Sequence, residues 1–227
     1  MEKFIHKFGI FKNGFTLAEV LITLVIIGVV AALVISPLIN TYVESSTVSK
    51  VKKGLSILGQ AKKLAEVQNG PIEGWNFGAG SSTQTVTQFW NYLKPHISFV
   101  KECSGIGCYQ NDGIYYLNGS YYSNYNSYSS YQKIILADAS VMWFRTGGGD
   151  ESGKCSAPNG GVENACAIFW YDVNGDKSPN ALGRDVFVYI MSIDGVYPHM
   201  GNNCSKNSTG WGCAAYIIKN GNMNYLH

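Results

Sequence analysis

The sequence predicts an α+β fold: a long N-terminal helix, membrane-spanning in its first half and amphipathic in its second, packed on a C-terminal antiparallel β-sheet. Three observations predict it. From Val20 to Val43 the chain runs 24 residues without a formal charge, between Glu19 and Glu44. At 1.5 Å per residue a helix of that length spans about 36 Å, enough to cross a bilayer. Next, Val48, Val51, Leu55, Leu58, Ala61 and Ala65 recur at three- and four-residue spacing as one apolar stripe, with Lys52, Lys53, Lys62 and Lys63 read off it. The second half of the chain then turns to β-rich runs, Ala167 to Val173 and Asp185 to Ile193 among them.

The start of the helix carries an anomaly. Lys3, Lys7 and Lys12 form a basic head, and Glu19 stands at the threshold of the apolar run. A charge inside hydrocarbon costs on the order of 3 kcal/mol or more, so an intramembrane Glu19 needs a partner. An ordinary secretory signal peptide has a shorter apolar core and gives no reason for that glutamate. A plain single-pass anchor leaves it equally unexplained. Charge bias does not set orientation, because Lys50, Lys52 and Lys53 follow the helix as closely as the leader lysines precede it.

Gly14-Phe15-Thr16-Leu17-Ala18-Glu19, behind a basic leader and ahead of an apolar helix, resembles the N-terminus of type IV prepilins and type II secretion pseudopilins. The resemblance covers about Lys12 to Pro37. It implies that a membrane aspartyl peptidase, also an N-methyltransferase, cuts between Gly14 and Phe15 on the cytoplasmic side and methylates Phe15. It also implies that Glu19 pairs with the new terminal amine of a neighbouring subunit as a filament assembles. The implied partners are that peptidase, other pilin or pseudopilin subunits and an inner-membrane assembly platform. The implied function is a structural filament subunit and not an enzyme, anchored in the inner membrane with its globular domain outside the cytoplasm. The expected organisation is a leader over 1–14, the helix over 15–69 and an exported β-rich domain over 70–227. The alternatives are a minor tip subunit for adhesion or DNA uptake and, from a different class, a membrane-anchored periplasmic binding protein.

Composition agrees with export and argues against nucleic-acid binding. Removing residues 1–14 takes away three lysines and one glutamate, which leaves 14 basic and 14 acidic residues and no basic field for an anionic polymer. All six cysteines lie beyond the apolar helix: Cys103, Cys108, Cys155, Cys166, Cys204 and Cys213. An even count confined to an exported region reads as disulfides. Sequence alone cannot choose among their pairings; neighbour pairing is favoured, Cys103 with Cys108, Cys155 with Cys166 and Cys204 with Cys213. A structural metal is disfavoured, because no C-x-x-C occurs and no histidine clusters with cysteine.

Taken in order, Ser36-Pro37 should kink the helix, and Asn69-Gly70-Pro71 should end it near Gln68. A short helix is expected from Thr85 to Leu93. Residues 115–131 hold seven tyrosines among Ser, Asn and Gly and read as a solvated connection. Lys133 to Leu136 and Val141 to Phe144 flank Asp138-Ala139-Ser140 as a hairpin. Asp194-Gly195 turns a second hairpin into Val196-Tyr197. A sheet of about four strands is the economical assembly, with Ala215 to Lys219 as a further C-terminal strand.

Catalytic chemistry finds little support. Gly148 to Lys154 imitates a phosphate loop but ends in Cys155, where Ser or Thr should hold magnesium, and no helix signal follows. His96, His199 and His227 stand alone and read as surface or loop residues. No cofactor is required. Calcium is an optional ligand: Asp172, Asn174, Asp176 and Asp185 place four oxygen donors within 14 residues. The segment is not an EF-hand, but it is similar to the acidic loop that holds calcium in the major pseudopilin. The competing reading is a turn at Asn174-Gly175 with solvated acids.

Overall fold

The computed structural model describes residues 14–104, 113–124, 127–147, 154–175, 177–201 and 203–227. Two compact units result, Met1–Val43 and Glu44–His227. A single helix, α1 (Leu17–Asn69), contributes to both. In the first unit its apolar side chains stand outward, Leu17 at 78% exposure and Leu33 at 72%. The helix runs through Pro37, whose carbonyl accepts a bond from the Thr41 hydroxyl at 3.0 Å.

Within the second unit, the same helix becomes core. Val51, Leu58, Ala61 and Ala65 are fully buried, and Val48 and Leu55 pack against them. Burying one leucine contributes roughly 2 kcal/mol, so this stripe is a principal source of the unit's stability. Lys62 departs from its expected place off the stripe. It is 5% exposed, and its ammonium is satisfied by the Glu66 carboxylate at 2.6 Å and the Ile193 carbonyl at 2.9 Å. A long stem under a fully bonded head lets a lysine occupy the flank of a core stripe.

Past a single 3-10 turn (Ile72–Gly74), α2 (Thr83–Leu93) begins at Ser82, where Ser82 and Thr85 close a reciprocal cap. Its buried face, Val86, Phe89, Trp90 and Leu93, meets the sheet. Among the described residues nine strands follow: β1 (Lys101–Ser104), β2 (Ile114–Tyr115), β3 (Tyr121–Ser123), β4 (Gln132–Ile135), β5 (Val141–Thr146), β6 (Ala157–Asn159), β7 (Val162–Asp172), β8 (Val186–Ser192) and β9 (Val196–Pro198). Seven of them form one antiparallel sheet in the order β1-β4-β5-β7-β8-β9, with β6 also paired to β7. The other two, β2 and β3, make a separate ribbon. The sheet is wider than the four strands expected, because β1 and β6 are short and carry no apolar alternation. Pairing, not pattern, makes them strands; Glu102 of β1 is held by Trp90 Nε1–H at 2.6 Å and Gln132 Nε2–H at 3.2 Å.

Both faces of the sheet are buried. Along β8, Phe187, Tyr189 and Met191 face the helices, while Val186, Val188 and Ile190 face a second core. This explains why β8 reads as an unbroken apolar run. The second core is roofed by Ile114, Tyr116, Tyr122, Tyr131 and Trp211, so the Tyr-rich segment is a covering layer and not a solvated connection. Residues 125–126 within it lie outside the described residues. At the C-terminus, the expected strand is a helix, α3 (Cys213–Asn220), closed by Gly221 in the left-handed conformation. A short apolar run fits either period, and burial of Cys213, Ala214 and Ile217 on one face selects the helix.

Gly54 marks the closest approach of α1 to the sheet: a Cβ there would stand 2.7 Å from Tyr171 Cδ1. Gly59, one turn on, has nothing within 4 Å. In a free helix, alanine is favoured over glycine by about 1 kcal/mol. Gly59→Ala should therefore stabilise the soluble fragment beginning at Glu44 by about that amount. Gly54→Ala should destabilise it by about 1–3 kcal/mol through overpacking. Urea denaturation of the two variants checks the opposite signs.

Candidate functional site

The first turn of α1 folds around Glu19. Thr16 donates to Glu19 Oε2 from its backbone N–H and from its hydroxyl, each at 2.8 Å, and the Glu19 N–H donates back to Thr16 Oγ1 at 3.2 Å. Two otherwise orphaned donors at the helix start are thereby satisfied reciprocally. The expected processing residues Gly14 and Phe15 lie immediately before this cap, exposed, with Phe15 at 88%. Glu19 thus sits one helical turn from the Gly14–Phe15 bond, its carboxylate held locally by Thr16 and open to solvent.

From there to Val43, large apolar side chains are exposed all round the helix, Val25 at 64% and Ile27 at 63% among them. A surface of this extent calls for lipid or protein around it. Residues 11–35 match the family model described as the prokaryotic N-terminal methylation motif. The chain carries the prepilin-type leader of type IV pilins and pseudopilins. This leader and the one apolar N-terminal helix fit membrane anchoring. No curated protein and no solved structure matches the chain.

The remaining sites lie in the second unit. Cys155 is bonded to Cys166 of β7, and Cys204 to Cys213 at the start of α3, each bond closing its own loop. Cys103 is disulfide-bonded as well, and Cys108 lies outside the described residues. Residues 148–153 of the phosphate-loop imitation also lie outside them. Lys154, which follows, donates to the Glu73 and Trp75 carbonyls and lies over the Phe77 ring, a structural strut.

The loop after β7 brings three of the four expected metal donors together; Asp176 lies outside the described residues. Asp172 is fully buried, and its Oδ1 accepts the N–H of Asn174 at 3.1 Å and of Gly175 at 3.0 Å. Asp185 accepts from Asn174 Nδ2 at 3.1 Å, Asn180 N at 2.8 Å and Ala181 N at 2.6 Å. Asn174 Oδ1 is buried and makes no hydrogen bond among the described residues. Among the described residues, no group of three or more His, Cys, Asp or Glu is placed to hold a metal ion. Asn174 nevertheless meets one buried acid through its backbone N–H and the other through its Nδ2, and a carboxamide oxygen is a donor type that a hard cation takes. For Asn174 to share that cation with Asp185, its carboxamide must turn over, since Nδ2 now faces the carboxylate.

The histidines separate. His227 meets Glu44 at 2.8 Å. His199 is half-buried against Trp211, with ring centroids 4.8 Å apart, and its Nδ1 accepts the Gly201 N–H at 2.9 Å. His96 has a buried Nε2 without a hydrogen bond.

Burial pushes Asp185 up from 3.8 to about 6, against its three N–H donors, and burial pulls His199 down from 6.5 to about 4. The signs oppose. Between these values folded Asp185 keeps a proton that the unfolded chain has lost, so its contribution falls as pH rises from about 4 to 6. Folded His199 lacks a proton that the unfolded chain holds, so its contribution is lost as pH falls from 6.5 to 4. Each is worth about 3 kcal/mol at most. Relative to wild type, Asp185→Asn should therefore gain stability with rising pH across this window, and His199→Gln should lose it. Denaturation at pH 4.5, 5.5 and 6.5 measures both slopes.

Proposed function

We propose that this chain is a structural subunit of a type IV pilus-like or type II secretion pseudopilus filament. The observation that carries the reading is the prepilin-type leader continuous with an exposed apolar helix. In this reading, residues 1–14 are removed by a prepilin peptidase and Phe15 becomes the methylated N-terminus. Residues 15–69 form the N-terminal helix, membrane anchor and filament core in its first half and amphipathic in its second, and 70–227 the exported domain. Until assembly the helix holds the chain in the inner membrane. Assembly transfers that helix from lipid to a bundle of like helices, so its apolar surface stays dry throughout.

Glu19 then has two partners in succession. In the precursor, the Thr16 N–H and hydroxyl hold its carboxylate. After cleavage, the free amine of Phe15 on a neighbouring copy supplies a full positive charge, which offsets the cost of the carboxylate in an apolar bundle far better than neutral donors do. Register follows, because only one stagger of the helices brings the amine to Glu19.

Mass spectrometry of membrane-extracted protein should show an N-terminus at Phe15 carrying one methyl group; a start at Met1 or a cut after Ala32 would sink the assignment. Glu19→Ala should leave processing intact and abolish recovery in sheared filaments. Recovery of that variant at wild-type level would leave Glu19 with no role in assembly.

We further propose calcium as an optional ligand of the Asp172–Asp185 loop, held by Asp172, Asn174, Asp176 and Asp185. The unpartnered Asn174 Oδ1 supports it, as does the unfavourable burial of the Asp185 charge. A ligand that binds only the folded state stabilises it by about 2.7 kcal/mol at a hundred times its Kd. The soluble fragment should accordingly melt higher in millimolar calcium than in chelator, and Asp172→Ala should remove the difference. Equal melting temperatures would reduce the loop to a self-bonded turn.

A further inference from the structure

An asparagine followed by glycine can modify itself, because glycine has no Cβ to keep its own nitrogen from the asparagine side chain. The chain holds six such pairs: Asn13-Gly14, Asn69-Gly70, Asn118-Gly119, Asn159-Gly160, Asn174-Gly175 and Asn220-Gly221. Their sequence does not rank them, and Asn13 lies outside the described residues. The fold ranks the other five, because the reaction consumes the glycine N–H. Gly70 donates that N–H to the Glu66 carbonyl at 2.9 Å, and Gly119 to the Tyr116 carbonyl at 2.9 Å. Gly221 donates to the Ile217 carbonyl at 2.8 Å, and Gly175 to Asp172 Oδ1 at 3.0 Å. The Gly160 N–H makes no hydrogen bond among the described residues.

The reason lies in the turn between β6 and β7. Asn159 pairs with Val162, and the two residues between them, Gly160 and Gly161, have φ of +55° and +77°. That is the two-residue turn with both φ positive, whose ladder bonds belong to the flanking residues and leave the Gly160 nitrogen out. Elsewhere the nitrogen must first give up a hydrogen bond, which reduces its reactive population by a factor of roughly 2 to 12. The reduction is larger at Gly175, whose acceptor is a carboxylate. Exposure ranks the sites differently: Asn69, Asn118 and Asn220 are exposed, whereas Asn159 is half-buried.

We propose that Asn159-Gly160 is a self-modification site, at which the folded chain converts asparagine to isoaspartate or aspartate. The Gly160 nitrogen attacks Asn159 Cγ, so a C–N bond forms and closes a five-membered succinimide. The Cγ–Nδ2 bond breaks, and Nδ2 leaves as ammonia with the proton that Gly160 gave up. Water then opens the ring at either carbonyl, giving aspartate or an isoaspartate whose main chain is one methylene longer. The turn has no slack for that methylene. Gly160 lies so close to His199 that a Cβ on it would stand 2.3 Å from His199 Cδ2, and its carbonyl accepts the Met200 N–H at 2.7 Å. Isoaspartate therefore breaks the Met200 bond, and either product leaves a negative charge at the turn. The site belongs to one turn of the second unit and stands whether or not the chain enters filaments.

The test ages the full-length wild-type chain in detergent at mildly alkaline pH and follows each Asn-Gly peptide by mass spectrometry. A parallel sample is reduced and unfolded in urea. In the folded chain Asn159 should convert several-fold faster than Asn69, Asn118, Asn174 and Asn220, and in urea the five rates should converge. A folded-state order that follows exposure, with Asn69, Asn118 or Asn220 ahead, overturns the proposal. So does an Asn159 that converts in urea but not in the folded chain. If Asn159 leads equally in urea, the fold is not the cause, and the proposal fails again. Hydrogen exchange reads the consequence: the Met200 amide should exchange faster in isoaspartate-containing chain than in fresh chain. Unchanged exchange there overturns the loss of the Met200 bond.

Discussion

One helix has to satisfy two environments, and most of the structure follows from that constraint. Up to Val43 its apolar side chains are exposed all round, and from Val51 the same helix presents a stripe that is core. The second half is fastened by specific polar bonds as well as by area. The Tyr189 hydroxyl donates to the Val51 carbonyl at 2.6 Å, and the Lys50 ammonium donates to the Val173 carbonyl at 2.6 Å. With Lys62 on Ile193, side-chain bonds from three points along the interface tie helix to sheet. A helix interface made of slippery apolar contact alone fixes neither rotation nor register; bonds to particular carbonyls fix both.

The sheet answers the helix by burying both of its faces. Helices α1, α2 and α3 contribute to the core on one side, and a layer of rings and short loops covers the other. On the covered outer side Trp170 meets Tyr131 at 5.7 Å and Trp211 at 6.2 Å, and Trp211 meets Tyr122 at 5.4 Å. These edge-on contacts join the Tyr-rich segment to the disulfide-closed loop before α3. A domain with low charge thus stabilises itself by aromatic area and cross-links more than by ion pairs.

Much of this was legible in the residues. The apolar run and its stripe located α1, and the Asp138-Ala139-Ser140 and Asp194-Gly195 turns located two hairpins, because turn chemistry and period are local properties. What escaped was set by tertiary pairing. Strands β1 and β6 have no pattern of their own, and Ala215 to Lys219 is too short for its period to decide. Lys62 was placed by charge, whereas its burial depends on a carbonyl 131 residues away. At the N-terminus, the motif named Gly14, Phe15 and Glu19, but nothing in it gave Thr16 as the carboxylate's partner within the chain.

The Tyr-rich layer divides its own residues into two kinds. Tyr116, Tyr122 and Tyr131 point their rings into the second core, while Tyr115, Tyr121 and Tyr128 stand exposed beside them. Losing an inward ring gives up packing on the second core, a destabilisation of about 1–3 kcal/mol, whereas exchanging an outward one alters stability by about 0.5 kcal/mol or less. Foldability therefore constrains alternate rings and leaves their neighbours free to drift. The outer face can be rewritten over generations without the scaffold beneath it registering the change.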